Sequence, residues 1–296
     1  MKKIFLTGSS GFVGHNLIKY FSTNIVINKY FRGTNINIQD DVVIHLAGKA
    51  HDLKKTSNVQ EYYVINTDLT KTVFDAFLKS DAKVFITLSS VKAVADQVEN
   101  ILLEEVIPNP LTHYGKSKLL AEEYIICQQI PESKRVYILR PCMIHGPGNK
   151  GNLNLLYNLV SKGFPWPLGS YENARSYLSI ENLCFIIKEL IMNENIPSGV
   201  YNVADDVPLS TNTIIKLIAE TIGKESRILN LSKNLIKVLA RVGDLLKLPL
   251  NSERLHKLTE SYVVSNAKIK AAIEKPLPIS SKLGLLKTFQ SFSSNV

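Results

Sequence analysis

Short apolar runs alternate with amphipathic stretches through the first half of the chain, and the alternation predicts the layout. Lys3–Thr7 (KIFLT) reads as a buried strand, Gly14–Phe21 as a helix and Asn24–Ile27 as a second strand. Asp41–Gly48 (DVVIHLAG) is another buried strand. From Asn58 to Leu78 the positions Tyr63, Ile65, Leu69, Val73 and Phe77 recur near helical spacing, which predicts one long helix. Lys83–Leu88 (KVFITL) reads as a strand ending at Ser89-Ser90, Tyr114–Gln129 as a helix and Arg135–Arg140 (RVYILR) as a strand. Strands alternating with helices of this length imply right-handed βαβ units and a parallel sheet.

The second half changes texture. Pro and Gly cluster between Pro141 and Gly169. Leu153–Lys162 predicts a short helix, Ser176–Ile180 a short strand, Glu181–Met192 a helix, Gly199–Val203 a strand and Thr211–Ile222 a helix. Leu235–Leu246 carries an apolar stripe through Leu235, Val238, Leu239, Val242 and Leu246, with Lys237, Arg241 and Lys247 off it. Such a stripe suits a membrane-surface helix, but the commoner reading is a helix packed on a second small domain. The expected fold class is α/β: a Rossmann-type doubly wound parallel sheet with a smaller mixed substrate-binding domain. Residues 1–149 and about 176–206 would form the dinucleotide-binding part, and about 150–175 with 207–296 the substrate-binding part.

Composition narrows the class. The chain has 296 residues, 45% of them hydrophobic, enough for a sizeable core, with disorder expected only over Ser291–Val296. A formal charge of +9 suits an anionic partner without choosing one. No dense Lys/Arg run and no zinc-finger or RNP-like pattern is present, so nucleic acid is not an expected partner. Cys127, Cys142 and Cys184 are too far apart in sequence for a metal clamp or redox pair, so no metal site is expected; Cys127 and Cys184 lie in apolar helical patterns that predict buried, inert thiols. Met1-Lys2-Lys3 runs straight into Ile4-Phe5-Leu6 and a glycine turn, too short for a signal peptide, and no stretch reaches bilayer-spanning length. The expectation is a reduced, soluble, cytoplasmic protein with no membrane partner.

Two motifs carry chemistry. Thr7-Gly8-Ser9-Ser10-Gly11-Phe12-Val13-Gly14 places glycines three apart between a strand and a helix. Glycine permits the tight turn and close backbone approach to phosphate, and the helix N-terminus offers unpaired N–H groups to a pyrophosphate. The next strand ends in Asn28-Lys29-Tyr30-Phe31-Arg32, without the acid that NAD-selective turns place there, so Arg32 or Lys29 is a candidate for a 2′-phosphate or else a surface charge.

The second motif is Tyr114-Gly115-Lys116-Ser117-Lys118, in which Tyr114 and Lys118 share a helix face. A neighbouring cation stabilises phenolate and lowers a tyrosine pKa from about 10, making an acid or base usable near neutrality. Tyr114 is the only tyrosine of the 12 with Lys four residues on. Ser90 caps the preceding strand on the side of the sheet where ligands bind, and its hydroxyl can hold a reacting oxygen beside the phenol.

TGSSGFVG, VVIHLAG, LSS, YGKSK and RPCMIHGPG, in this order, resemble the extended short-chain dehydrogenase/reductases, above all the NAD-dependent epimerase/dehydratase group acting on nucleotide sugars. The resemblance covers nearly the whole chain and implies Ser90, Tyr114 and Lys118 as catalytic residues. It implies NAD or NADP bound by Gly8, Gly11, Phe12, Val13, Gly14, Leu46, Ala47, Gly48, Lys49 and Asn66 as well as Tyr114 and Lys118, with Arg32 at the adenosine end. The segment from Lys150 through Gly151, Asn152 and Leu153 resembles a loop that contacts the nucleotide diphosphate, and Arg175 a phosphate-gripping arginine. Asn202 and Arg254 are weaker candidates for nucleotide contacts, and Ser90 completes the substrate set. The family also implies a homodimer through helices 58–78 and 114–129.

The chain departs from the family pattern in places. Between Gly33 and Asp41 the usual further strand is missing, which trims the adenine side. In Arg140-Pro141-Cys142-Met143-Ile144-His145-Gly146-Pro147, Met143 replaces a polar group near the sugar and His145 replaces a tyrosine. Val91-Lys92-Ala93-Val94-Ala95 lacks the usual Tyr-Gly ending, and the acidic pair that dehydratases place beside the serine is absent. The resemblance thus implies an NAD(P)-dependent enzyme epimerising C4 of a UDP-hexose. The alternatives are a UDP-4-keto-6-deoxy-hexose 4-ketoreductase and a non-catalytic NAD(P)-binding sensor.

Overall fold

The computed structural model describes residues 2–21, 25–49, 58–149, 151–246 and 251–293. Its strands are β1 (Lys3–Thr7), β2 (Val26–Lys29), β3 (Val42–His45), β4 (Val84–Leu88), β5 (Ile101–Leu102), β6 (Arg135–Pro141), β7 (Met143–His145), β8 (Tyr177–Ser179), β9 (Gly199–Val203) and β10 (Val263–Val264). Six of them form one all-parallel sheet in the order β2-β1-β3-β4-β6-β9. The pairs β7–β8 and β5–β10 stand apart from it. This is the expected doubly wound α/β architecture. Every residue of β3 is buried, as a parallel strand covered on both faces requires. Alternate residues serve opposite cores: Ile4, Leu6, Val42 and Ile44 pack on one face, and Phe5, Val43, Phe85 and Phe74 on the other.

The helices are α1 (Phe12–Tyr20), α2 (Val59–Tyr62), α3 (Leu69–Lys79), α4 (His113–Ile126), α5 (Asn152–Ser161), α6 (Ile180–Met192), α7 (Thr211–Thr221), α8 (Lys233–Leu246), α9 (Ser252–Thr259), α10 (Ala267–Ile273) and α11 (Ser281–Ser293). A third core joins Leu153, Tyr157, Trp166, Ile214, Ile218, Ile236, Ala240, Leu285 and Phe289, drawn mainly from α5, α7, α8 and α11.

Several expectations need correction. The second strand starts later than expected, at Val26, and Asn24 lies outside the described residues. The helix expected over Asn58–Leu78 is interrupted by a π-helical turn at Tyr63–Asp68, so two consecutive residues, Asn66 and Thr67, both turn inward onto α4. Cys127 is exposed, just past the end of α4, whereas Cys184 is buried as expected. Ser291–Ser293 are helical, in α11.

The α8 stripe does not pack inward. Ile236, Ala240 and Gly243 are the buried residues of α8, while Leu235, Val238, Leu239, Val242 and Leu246 are between 42% and 62% exposed. The apolar side of a helix is hidden only when the fold supplies a partner for it, and here the protein contacts a different, smaller-residue face.

Candidate active site

The turn after β1 is built by close approach of backbones. Gly8 has φ 71°, and a Cβ there would lie 2.6 Å from Leu46 C and Ala47 N; one at Gly14 would lie 2.3 Å from Gly8 O. Gly11 N–H donates to Gly8 O at 3.1 Å, and α1 then starts with no side-chain cap and no acid in its first turn. Its first N–H groups therefore lack a side-chain acceptor, which fits a pyrophosphate at this helix start. Phe12 and Val13 pack their side chains against the core, leaving their backbone to face the turn. Beside β1, β2 is the sheet edge, and no strand or helix lies between Lys29 and Val42. Arg32 is exposed there, and the Asn28 side chain occupies Asp40 with a 2.6 Å hydrogen bond.

A hydrogen-bonded chain ties this turn to the π-helical segment. Ala47 N–H donates to Thr7 Oγ1 (3.1 Å), and Thr70 donates its hydroxyl proton to Asn66 O (2.7 Å). His45 lies between the two threonines, its Nδ1 2.8 Å from Thr7 Oγ1 and its Nε2 3.0 Å from Thr70 Oγ1. Thr70 has one proton and spends it on Asn66, so His45 must donate from Nε2 and accept at Nδ1 from Thr7. Complete burial, with the Lys118 charge adding to it, pushes His45 down to about 3, which keeps the ring neutral. The Asn66 side chain continues the chain: Oδ1 accepts from Lys49 N (2.7 Å), and Nδ2 donates to Lys49 O (3.1 Å) and to Ser117 Oγ (3.0 Å). Ser117 in turn donates to Tyr114 O at 2.8 Å. Lys49 also makes an ion pair with Glu61.

Ser90, Tyr114 and Lys118 are brought together at the carboxyl ends of β4 and β3. Ser90 ends the strand in extended backbone and accepts the Lys92 N–H at 3.2 Å, turning the chain into a 3-10 turn at Val91–Ala93. Thr112 caps α4 by accepting the Gly115 N–H at 3.2 Å. A Cβ at Gly115 would lie 2.3 Å from Lys92 O, so only glycine lets α4 begin directly against the Ser90 turn. Tyr114, half-buried, receives a side-chain hydrogen bond from Ser90 that favours the phenolate, but burial outweighs it and raises the phenol pKa. The expected depression by Lys118 is thus not found in the free protein. Lys118 donates to Leu88 O at 2.8 Å, and a Cβ at Gly48 would meet its Nζ at 3.1 Å and Asn66 Oδ1 at 3.2 Å. Burial lowers Lys118 to about 8, with Glu122 opposing the shift.

The candidate substrate residues divide. Arg175, half-buried, donates from Nη1 to Lys257 O at 2.5 Å and places Nη2 3.8 Å from Glu260 Oε1. Lys92 joins this corner: its Nζ donates to Asp96 O (2.7 Å) and lies 4.2 Å over the Tyr262 ring. Burial lowers Lys92, Glu260 and Asp96 oppose that shift, and Arg175 and Lys257 add to it. Asn152 is exposed at the start of α5, Leu153 is buried in the third core, and Lys150 lies outside the described residues. Arg254 is exposed on α9.

Asn202 is a correction: it is fully buried, its Nδ2 donates to Leu102 O (3.2 Å) and its N–H to Glu104 Oε1 (2.9 Å). It anchors the β5 segment and presents no surface to a nucleotide. His145 is likewise buried, with Nδ1 2.9 Å from Thr288 Oγ1, so the residue in the family tyrosine position serves packing against α11. Sequence reading missed Gly115 and Lys92, although both lie inside the motifs that located Ser90 and Tyr114. It also missed His45 and Glu122, whose partners are distant in sequence.

The profile of the NAD dependent epimerase/dehydratase family matches residues 34–204. The chain is 34% identical over 251 residues to a UDP-glucose 4-epimerase of Vibrio cholerae, covering 75% of this chain and 76% of that one. It is 28% identical over 245 residues to an N-acetyl-alpha-D-glucosaminyl-diphospho-ditrans,octacis-undecaprenol 4-epimerase of Escherichia coli O157:H7, covering 75% and 73%. The fold is shared with the UDP-N-acetylglucosamine 4-epimerase of Bacillus cereus, with a TM-score of 0.77, 17% identity and 98% of each chain covered.

Proposed function

The chain belongs to the NAD-dependent epimerase/dehydratase family, and from that premise we propose that it inverts C4 of a UDP-hexose through a transient 4-ketone. It is an enzyme of the epimerase/reductase kind, and its cofactor is NAD or NADP. The observation that carries the reading is the hydrogen bond from Ser90 to the Tyr114 phenol beside a buried Lys118.

Oxidised NAD(P), when bound, would take a hydride from C4 and then return it; the rest falls to this chain. Gly8, Gly11 and Gly14 and the start of α1 would hold its pyrophosphate. Lys118, between Gly48 and Leu88, would hold the ribose hydroxyls and keep a positive charge near the phenol. Tyr114 removes the C4 hydroxyl proton on oxidation and returns a proton to the ketone oxygen on reduction, with Ser90 aligning that oxygen. The raised phenol pKa suits the proton-giving half, and the Ser90 bond favours the proton-taking half. Arg175 would hold the diphosphate while the sugar turns. Val91 and Lys92, neither an acid, follow Ser90, so removal of water has no carboxylic acid–base partner there.

A 4-ketoreductase is the second reading. It is favoured by exposed Arg32 at the end of β2 and by Asp40 being occupied with Asn28, a setting suited to NADPH used stoichiometrically. The diphosphate carrier of the sugar is a separate question. The Escherichia coli relative is named for a polyprenyl diphosphate substrate, and an arginine such as Arg175 recognises the diphosphate that both carriers share.

The deciding experiment incubates purified protein with a panel of UDP-hexoses and reads products by NMR. The proposed reading expects C4 inversion with nucleotide that copurifies and none added. Consumption of one NAD(P)H per 4-keto-6-deoxy sugar would transfer the assignment to the reductase. Neither behaviour would sink both.

A further inference from the structure

Lys92 spans two parts of the site that a substrate must join. Its backbone N–H donates to Ser90 Oγ at 3.2 Å, and Ser90 bonds the Tyr114 phenol, so the residue starts one hydrogen bond from the place of the reacting oxygen. Its ammonium ends elsewhere, 2.7 Å from Asp96 O and 4.2 Å over the Tyr262 ring. Tyr262 bridges through its backbone to Arg175, and its N–H donates to Ala174 O at 2.8 Å. Its hydroxyl donates to Ala95 O at 2.7 Å, just past the turn that follows Ser90. One aromatic residue therefore joins the Ser90 turn to the Arg175 segment, with the Lys92 ammonium over its face.

The pairing of charges in this corner singles Lys92 out. Lys257 is held by Glu253 at 2.6 Å. Arg175 spends Nη1 on Lys257 O and faces Glu260 with Nη2. Glu260 is shared, since its Oε2 lies 3.1 Å from His256 Nδ1. Asp96 is committed too: its Oδ2 accepts from Leu111 N at 2.6 Å and from Thr112 N at 3.3 Å. Among the described residues no carboxylate forms an ion pair with Lys92. An ammonium has three donors. A carbonyl takes one of them here and a ring face covers part of the rest, and neither neutralises the charge. Burial works against that charge and nearby Arg175 adds to the cost, so an oxyanion brought beside the ammonium would offset both.

Substrate chemistry selects the oxyanion. A diphospho-sugar carries its C4 hydroxyl at one end of the hexose ring and its diphosphate, on C1, at the other. With the C4 oxygen at Ser90 and Tyr114 and the diphosphate at Arg175, the hexose follows the same course that Lys92 takes between them. Each phosphate of such a diester is negative, and a single guanidinium leaves one of them unmatched. We infer that Lys92 binds an oxygen of the substrate diphosphate and shares that group with Arg175. The inference rests on the reading of the substrate as a UDP-hexose and adds a binding residue to it.

The test is calorimetric titration of the full chain, with NAD(P) bound, with UDP and with uridine, which lacks the phosphates. Lys92→Met keeps an apolar stem against Tyr262, and Lys92→Gln keeps a donor for Asp96 O; both remove the charge. Each should weaken UDP binding about tenfold and leave uridine within about twofold, the loss of one charge-assisted hydrogen bond. Thermal melts verify that the variants fold. A role confined to holding the turn would change both ligands alike, and that outcome overturns the inference, as does UDP affinity unchanged in both variants. Either result leaves the epimerase reading standing. Wild type that binds UDP no more tightly than uridine would overturn the inference and the UDP-hexose reading together.

Discussion

Glu122 and Arg140 meet as a buried fork between α4 and β6. Arg140 Nε lies 3.1 Å and 3.0 Å from the two Glu122 carboxylate oxygens, and Nη2 lies 2.6 Å from Oε2. The side chains are 5% and 2% exposed. The pair clamps α4 to β6, and Glu122 also supports the charge on Lys118 one helical turn away.

Removing one partner leaves a buried charge uncompensated. Glu122→Gln should destabilise the protein by about 3–5 kcal/mol in urea unfolding. Replacing both residues by Met should recover most of that loss, since the desolvation penalty disappears with the charges. Equal losses in the single and double variants would show that the pair does not act as a unit.

The neutral His45 makes a pH prediction. Its folded-state pKa of about 3 lies below the ordinary 6.5, so the unfolded chain binds the extra proton between those values. Stability from this group is complete above pH 6.5 and is lost as pH falls towards 3, by several kcal/mol in all. His45→Gln keeps a side-chain donor for Thr70 but cannot titrate. Urea unfolding at a series of pH values should give a shallower slope below pH 6.5 for the variant, and identical slopes would contradict the buried neutral ring.

Tyr114→Phe keeps the ring edge-on to Tyr62, whose centroid is 6.3 Å away, and deletes the proton-transferring hydroxyl. We expect turnover to fall about 10²–10⁴-fold, the usual worth of a positioned acid–base. Nucleotide affinity, read by fluorescence titration, should change less than about threefold, because the pyrophosphate contacts of the glycine turn are untouched. Undiminished turnover would remove Tyr114 from its proposed role.

Gly48→Ala places a methyl 3.1 Å from Lys118 Nζ and 3.2 Å from Asn66 Oδ1. Both neighbours are side-chain ends, so the fold should tolerate it with a Tm loss of about 2–4 °C, while the displaced ammonium lowers kcat about tenfold or more. By contrast, Gly8→Ala meets backbone at 2.6 Å from a positive φ and should compromise cofactor binding and folding together. Similar behaviour of the two variants would argue that Gly48 is structural.

Much of the site was legible because its signals are local. The glycine spacing, the Tyr114–Lys118 interval and the serines ending β4 are each contained in a few residues, and the structure brings them to one edge of the sheet. Asn202 misled because a motif position does not reveal where a residue is held; about a hundred residues earlier, Leu102 O takes its side-chain Nδ2 and Glu104 its backbone N–H. The π turn at Tyr63–Asp68 was invisible because its apolar spacing matches an ordinary helix closely, while its Asn66 and Thr67 both bond Ser117, about fifty residues on.

The sequence by itself determined the strand–helix alternation, the glycine turn after β1 and the placing of Tyr114 and Lys118 on one helix face, because periodicity, glycine freedom and helical spacing act over one or two turns of chain. The tertiary structure alone decided which face of α8 meets the protein, which proton His45 carries, and whether Lys118 or burial governs the Tyr114 phenol. Each of those depends on what residues far away in sequence place against the group, and desolvation and pairing are properties of that assembled environment.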